Sequence, residues 1–427
     1  MPRILLLATT TGYQTRSFGE AAERLGIDLI FATDRCHILE DPWGDRAVPI
    51  RFADEEWSTY ALLDFARTTP IDGVLAVGDR PTVIAGHVLE GLGLPGHPAE
   101  AARTARNKLF SRTRLRAASM RVPFFRPMAV DTDVHALAEV IPFPAVLKPL
   151  ALSGSRGVVR VNNREELVAA FYRLRSLFQA PDIRAARDDS SELILVEGFI
   201  EGHEYAVEAV MSHGSLQVLA IFDKPDPLDG PFFEETIYVT PPAIPTQVEA
   251  AIVSAVAQSA FALGLRHGPI HAECRVLGEA VWMLEVAARP IGGLCARSLR
   301  FTRKDLGGPL ISLEELLLRH AIGEAVESWR REPSASGVMM IPIPRRGVFR
   351  RAAGLEQARA VRGVDDVRIT AKTDQLLLPL PEGASYLGFI FAHGQNAQAV
   401  EGALREAHAR LHFAIDPEVP VVQSRHG

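Results

Sequence analysis

Two carboxylates twelve residues apart, Glu273 and Glu285, lie in the run HAECRVLGEAVWMLEVAARPIGG, where Arg289, a proline, Gly292 and Gly293 follow the second. Apolar and polar residues alternate on either side of Gly278, the pattern of two strands joined by a tight turn. A three-residue loop over residues 278–280 pairs Leu277 with Val281 and sets Glu273 directly opposite Glu285. In that register Ala272, Cys274 and Val276 share an apolar face with Trp282, Leu284 and Val286, and His271, Glu273, Arg275, Met283 and Glu285 face the other way. Directly opposed residues have Cβ atoms about 4.5–5.5 Å apart, where like charges repel. Two compensations are open: a hard divalent cation of the Mg²⁺ kind, which takes one or two carboxylates plus substrate phosphates, or neutralisation by Arg275 and Arg289.

Other stretches carry residue types suited to a nucleotide. In AVLKPLALSGSRGVVRV, Lys148 ends a strand and a small-residue loop, Ser153, Gly154, Ser155, Arg156 and Gly157, leads to another strand from Val158. Free backbone N–H groups in such a loop can wrap phosphates, although the same residues make an ordinary turn; neither the Walker nor the dinucleotide glycine pattern is present. In ELILVEGFIEGHEYAVEAV a strand ends at Glu197, and the Gly198, Phe199 and Ile200 backbone can edge an adenine. Glu204 can accept from ribose hydroxyls; a plain turn with solvated acids is the alternative. FDKPDPLDGPFFEE crowds Asp223, Lys224, Asp226, Asp229, Glu234 and Glu235 into a proline-rich loop, a lid or a surface loop. Residues 101–130 hold eight Lys/Arg, Lys108 and Arg112 among them, and no acid, which fits a solvated helix face or a phosphate site.

These residues need a scaffold. RILLLAT, SFGEAAERLG and IDLIFAT read as a β-α-β opening, and EEWSTYALLDFARTT, GVLAVG and TVIAGHVLEGLG extend it into an open parallel α/β domain. Ligands in such sheets meet the carboxyl ends of the strands, so residues 9–13 and 78–80 are candidate substrate loops. From about residue 105 the texture shifts to short strands with hairpin turns, and from 337 to an α+β tail with one amphipathic helix, NAQAVEGALREAHARLHF. The expected divisions are 1–105, 106–328 with a split near 185, and 329–427. The 427 residues carry a net charge of −6, which disfavours a nucleic-acid partner. No apolar run approaches the roughly 18 residues of a membrane span, and the expected location is cytoplasmic. Cys36, Cys274 and Cys295 lack CxxC spacing and are taken as buried thiols.

The order of NKLFSRTRL, AVLKPLALSGSRGV, LVEGFIEGHEYAVEAV, FDKPDPLDGPFFEE and HAECRVLGEAVWMLEVAARPIGG across about half the chain resembles the ATP-grasp superfamily. The ending EVAARPIGG is most similar to bacterial L-amino acid ligases, which make dipeptides. The resemblance implies an ATP-grasp fold, α/β and α+β, with an N-terminal open parallel α/β domain and a C-terminal α+β domain. It implies ATP with Mg²⁺, or Mn²⁺ in its place. Lys108 and Lys148 would contact phosphates, Ser153, Gly154, Ser155, Gly157 and Val158 would form the phosphate loop, Glu197, Phe199 and Ile200 would hold adenine, and Glu204 ribose. Glu273 and Glu285 would bridge the metal, Arg289 would meet the transferred phosphoryl group, and His271, Gly292 and Gly293 would border the substrate. Ala287 stands where many members carry a further metal-binding Asn, and it has no ligand atom. The implied activity is amide or peptide bond formation between a small carboxylate and an amine, with no nucleic-acid or membrane partner; a homodimer is allowed. A different activated carboxylate, such as bicarbonate or a nucleotide precursor, and a non-catalytic nucleotide sensor are the alternatives.

Overall fold

The computed structural model describes residues 1–9, 14–34, 47–305 and 307–418. The opening β-α-β pattern forms as read: Arg3–Ala8, Asp28–Thr33 and Gly73–Val77 join Val48–Pro49 in a four-stranded parallel sheet. Its inner strands are buried on both faces, which is why Ile4, Leu5, Leu6 and Leu7 form a continuous apolar run. One face packs under Thr82–Leu92 and Glu55–Thr68, and the other against Thr15–Leu25 and the distant helix Leu313–Ala321.

The basic stretch is two helices, Ala99–Arg106 and Lys108–Ala117, broken at Asn107. The Asn107 side chain caps the second by accepting from Leu109 N (3.0 Å) and Phe110 N (3.2 Å). A small antiparallel sheet follows in the order Phe125–Ala129, Leu193–Gly198, Ala145–Pro149 and Val159–Val161, with Arg164–Leu177 packed on it through Leu167, Phe171 and Leu174.

The remaining strands build one eight-stranded antiparallel sheet in the order Ala280–Ala287, Gly268–Leu277, His203–Ser212, Ser215–Asp223, Ile237–Thr240, Ala335–Ile341, Gly388–Gly394 and Val364–Ile369. The tail is therefore continuous with the central sheet and is not an appendage. Its helix Ala397–Ala409 covers Ala335–Ile341 and Gly388–Gly394 through Val400, Leu404 and Ala407. On the opposite half, Thr246–Leu263 presents Ile252, Val256, Ala260 and Leu263 to the sheet. This 18-residue helix, of mean hydropathy 1.2, is long and apolar enough by composition to cross a membrane, which corrects the expectation that no segment approaches that length. Its inward side chains are instead spent on the core.

The hairpin differs from its sequence reading in a way that matters. The turn has two residues, Gly278 (φ 60°) and Glu279, so Leu277 pairs with Ala280 and Cys274 with Met283. A bulge between Glu273 and Cys274 then shifts the register and pairs Glu273 with Glu285 after all. Met283 consequently lies in the core beside Cys274, whereas Leu284 turns with Glu285 into the cleft. The opposed carboxylates were inferred correctly from a loop that does not exist.

Candidate active site

A cavity of about 510 Å³ lies between the small sheet, the large sheet, the N-terminal domain and the tail. It gathers Lys108, Lys148, Ser153, Gly154, Ser155 and Val158 on one wall, and Glu197, Phe199, Ile200 and Glu204 beside them. Glu273, Glu285, His271, Arg289, Gly292 and Gly293 complete it. Gly157 alone of the expected residues does not line the cavity. Its N–H donates to Pro381 O (2.8 Å), and a Cβ there would fall 2.7 Å from Pro149 and 2.8 Å from Leu174 at a φ of 74°. It lets the loop turn against the small sheet.

The lysines are placed by their elements. Lys108 opens its helix with its N–H on Leu150 O (3.1 Å), and its ammonium donates to Leu152 O (2.8 Å), 3.7 Å from Glu285. Lys148 is the last residue but one of the strand Ala145–Pro149 and pairs with Glu197 at 2.6 Å. Glu197 is 1% exposed. Arg112 also holds its carboxylate, Nε to Oε1 at 2.5 Å and Nη2 to Oε2 at 3.3 Å. Burial pushes the Glu197 carboxyl up, but Arg112 and Lys148 outweigh it and bring it to about 2. Burial pulls the Lys148 ammonium below its ordinary value despite Glu197.

Arg112 was missed in the sequence as one of eight basic residues. It is 2% exposed, and its other two bonds reach Met283 O and Leu284 O, both 3.0 Å, in the bulged strand. The signal was spacing: Lys108, Arg112 and Leu115 recur on one helical face, and the last is core.

The acidic loop supplies a second buried cation. Lys224 Nζ lies 2.8 Å from Glu204, 2.7 Å from Glu235 and 2.8 Å from Glu273, with its ammonium 4.9 Å from the Tyr238 ring centroid. The three carboxylates are close enough together to hold a metal ion, and the ammonium occupies the place such an ion would take. Burial raises the Glu235 carboxyl to about 7, while Glu273, desolvated but held by Lys224 and His271, falls well below its ordinary range. Lys224 is the one cation in FDKPDPLDGPFFEE, which was the signal in the sequence, but the loop gave no sign that it would be buried.

Neither expected arginine makes a direct ion pair with the opposed carboxylates among the described residues, although against the pull of burial Glu285 and Glu273 help Asp79 to raise the Arg289 guanidinium. Arg275 donates to Glu204 (2.9 Å), Ile200 O (2.7 Å) and Leu228 O, and crosses the face of Phe199. Arg289 forms a two-point pair with Asp79, Nε to Oδ1 at 2.8 Å and Nη2 to Oδ2 at 3.2 Å. Asp79 stands in the candidate loop 78–80, whose three residues line the cavity together with Thr9; residues 10–13 and Cys36 lie outside the described residues. Cys274 and Cys295 are buried as expected, and desolvation pushes both thiols up to about 12.

His271 donates through Nδ1 to Glu208 Oε2 at 3.1 Å, and its Nε2 is 3.7 Å from Glu273. Burial lowers the imidazole, but Glu208 and Glu273 carry it to about 9, so it is cationic at neutral pH. Glu208, fully buried, also accepts from Ile291 N and so fixes the turn after Arg289. A Cβ on Gly292 would meet nothing within 4 Å, whereas Gly293 is required by its φ of 62°. The tail contributes Met340, Ala384, Ser385, Tyr386 and Phe389 to the far wall, none of them singled out in the sequence.

Three family models match in chain order. An ATP-grasp N-terminal domain covers residues 19–96, an ATP-grasp domain 141–298 and an L-amino acid ligase C-terminal domain 2 residues 339–416. The crystal structure of an L-amino acid ligase from Bacillus licheniformis matches with a TM-score of 0.81 and 27% identity, over 97% of this chain and 99% of that one. The chain belongs to the ATP-grasp superfamily. Within it, the chain is a carboxylate–amine ligase close to the L-amino acid ligases. The uncharacterized protein y4rH of Sinorhizobium fredii is 26% identical over 423 residues, 98% of this chain and 84% of that protein. Carnosine synthase 1 of Gallus gallus is 29% identical over 318 residues, 70% of this chain but 33% of its own length. The ATP-grasp model spans Lys148, the acidic loop and the two carboxylates, and Lys108 lies before it, so the cavity described above falls within the matched domain and its flanks.

Proposed function

We propose that this protein joins the carboxylate of one small amino acid or related metabolite to the amine of another, with ATP converted to ADP and phosphate. The carboxylate oxygen attacks the γ-phosphorus, ADP departs, and an acyl phosphate forms. The amine then attacks the acyl carbon, phosphate leaves, and the nitrogen loses a proton to give the amide. What supports this reading above all is the convergence of Lys108, Lys148, Glu273, Glu285 and Arg289 on one cavity from segments up to 181 residues apart, counted from Lys108 to Arg289.

The donor set suits the nucleotide. The small-residue loop 153–158 faces the two lysines, and Phe199 with Phe233, rings 6.3 Å apart, flanks the end where a purine would lie. Gly198 and Phe199 N–H donate to Phe124 O and Pro144 O, and Ile200 O accepts from Arg275. The purine rim is then read by the Ile200 N–H and the Phe199 carbonyl. Glu204, spent on Lys224 and Arg275, meets the ribose from a fixed position.

Glu273 and Glu285 suit a divalent cation. The contacts to Glu273 from Lys224, Tyr238 and His271 all fall on Oε1, which leaves Oε2 for Mg²⁺ or Mn²⁺ opposite Glu285. Such an ion supplies charge neutralisation on the phosphates. The protein itself contributes two ammonium groups and Arg289, held in place before reaction.

The test is a screen of purified protein with Mg²⁺, ATP and pairs of amino acids, reading phosphate release and product mass. Release above background with a product of the summed mass less water supports the ligation. Phosphate release at background for every pair refutes it for this substrate class.

A further inference from the structure

Arg289 has five N–H donors, and three are spent within the protein: Nε and Nη2 on Asp79, and Nη1 on Pro290 O at 3.1 Å. The side edge of the guanidinium is thus locked, and one N–H on each terminal nitrogen is left on the outer edge. That edge is the geometry that grips two oxygens of one anion. Both sides of the lock are themselves pinned. Asp79 follows Gly78 at the end of Gly73–Val77, and its carbonyl accepts from Thr82 Oγ1 (2.7 Å) and Thr82 N (3.3 Å) at the head of the next helix. Arg289 precedes Ile291, whose N–H is held by Glu208. The pair is nearly dry, with side chains 15% and 10% exposed, and it joins residues 210 apart in sequence.

We propose that Asp79 is a positioning residue, which holds Arg289 side-on so that its outer edge presents two N–H groups to the phosphoryl group in transfer. The N-terminal domain thereby sets the geometry of a group that the central domain supplies. This rests on the reading that Arg289 meets the transferred phosphoryl group. A locked guanidinium loses no rotational freedom when the anion arrives, whereas an unlocked one must be ordered at that moment. Burial would lift the Asp79 carboxyl, but Arg289, with Lys108 and Arg106 behind it, holds it below its ordinary value, so the lock persists at neutral pH.

The test uses the full chain with MgADP bound and inorganic phosphate as the probe, so it needs no substrate and no turnover. Asp79→Asn preserves shape and removes the charge. Phosphate affinity in the presence of MgADP is expected to weaken about ten- to a hundredfold, while MgADP affinity changes by less than about twofold. Asp79→Glu, which restores the carboxylate, is expected to recover part of the loss. An unchanged phosphate affinity overturns the proposal, as does an equal loss for both ligands, the signature of a purely structural role. If the asparagine variant does not fold, the same comparison between wild type and Asp79→Glu decides: equal phosphate affinity with a lengthened acid overturns it. Failure of the wild type to bind MgADP at all refutes the nucleotide reading of the cavity itself; MgADP binding without phosphate binding refutes only the present proposal.

Discussion

Replacing Arg112 with methionine isolates the buried ion pair beneath the cavity. The substitution keeps an unbranched side chain of similar reach but removes four hydrogen bonds: two to Glu197 and one each to the Met283 and Leu284 carbonyls. Two routes give the magnitude. Breaking a buried pair by removing one partner costs about 3–5 kcal/mol, because the other charge stays desolvated. Independently, Glu197 lies at about 2 rather than its ordinary 4.5, which at about 1.4 kcal/mol per pH unit amounts to about 3 kcal/mol of pH-dependent stability, shared between Arg112 and Lys148. A depressed acid contributes above its unfolded value and loses that contribution as pH falls through its folded value. Wild-type stability is therefore expected to decline between about pH 4.5 and pH 2, and the variant to show a shallower decline from a lower starting point. Urea unfolding followed by circular dichroism at pH 7 and at intervals down to pH 3 measures both. A loss below about 1 kcal/mol at pH 7, or an unchanged acid limb, would refute the assignment of Arg112 as the pin between the basic helix and the bulged strand.

Three further outcomes follow. Glu285→Ala is expected to abolish turnover while the circular dichroism spectrum and melting temperature stay near wild type, since Glu285 faces the cavity with Lys108 at 3.7 Å as its ion-pair partner; an active variant removes it from the metal site. Gly157→Ala is expected to destabilise by about 1–3 kcal/mol in urea unfolding, from a left-handed φ and overlap with Pro149 and Leu174; a neutral effect would show that the loop can shift. Gly292→Val is expected to fold normally, because its Cβ meets open space, and to reject bulky substrates while retaining nucleotide affinity; an unchanged substrate range in the amino-acid screen would place Gly292 outside the substrate path.

The parallel N-terminal sheet was legible because its strands are apolar runs separated by 3.6-periodic helices, each closed by a local signal such as Gly26 or Gly93. The opposed carboxylates were legible only as types and distance. A bulge adds one residue to one strand without any sequence mark, so the turn and the side-chain faces came out wrong while the pair came out right. Arg112 and Lys224 show the other limit. Composition left solvated charge open for both, yet Arg112 is enclosed by Glu197 and two backbone carbonyls, and Lys224 by Glu204, Glu235 and Glu273. Asp79 and Arg289 were each picked out, one as part of a loop and one as a phosphoryl contact, but a pair 210 residues apart leaves no local trace.

The eight-stranded sheet has a consequence for anyone who would re-engineer this protein. Ala280–Ala287, which carries Glu285, and Gly388–Gly394, which carries Phe389 of the far wall, are strands of one hydrogen-bonded sheet. The last 90 or so residues cannot be exchanged like a cartridge for those of a relative with another substrate preference. A graft would replace Ala335–Ile341, the ladder partner of Ile237–Thr240, with the two strands beyond it, and any change of twist would be handed across to the carboxylates. Altering what this protein joins is better attempted one wall residue at a time.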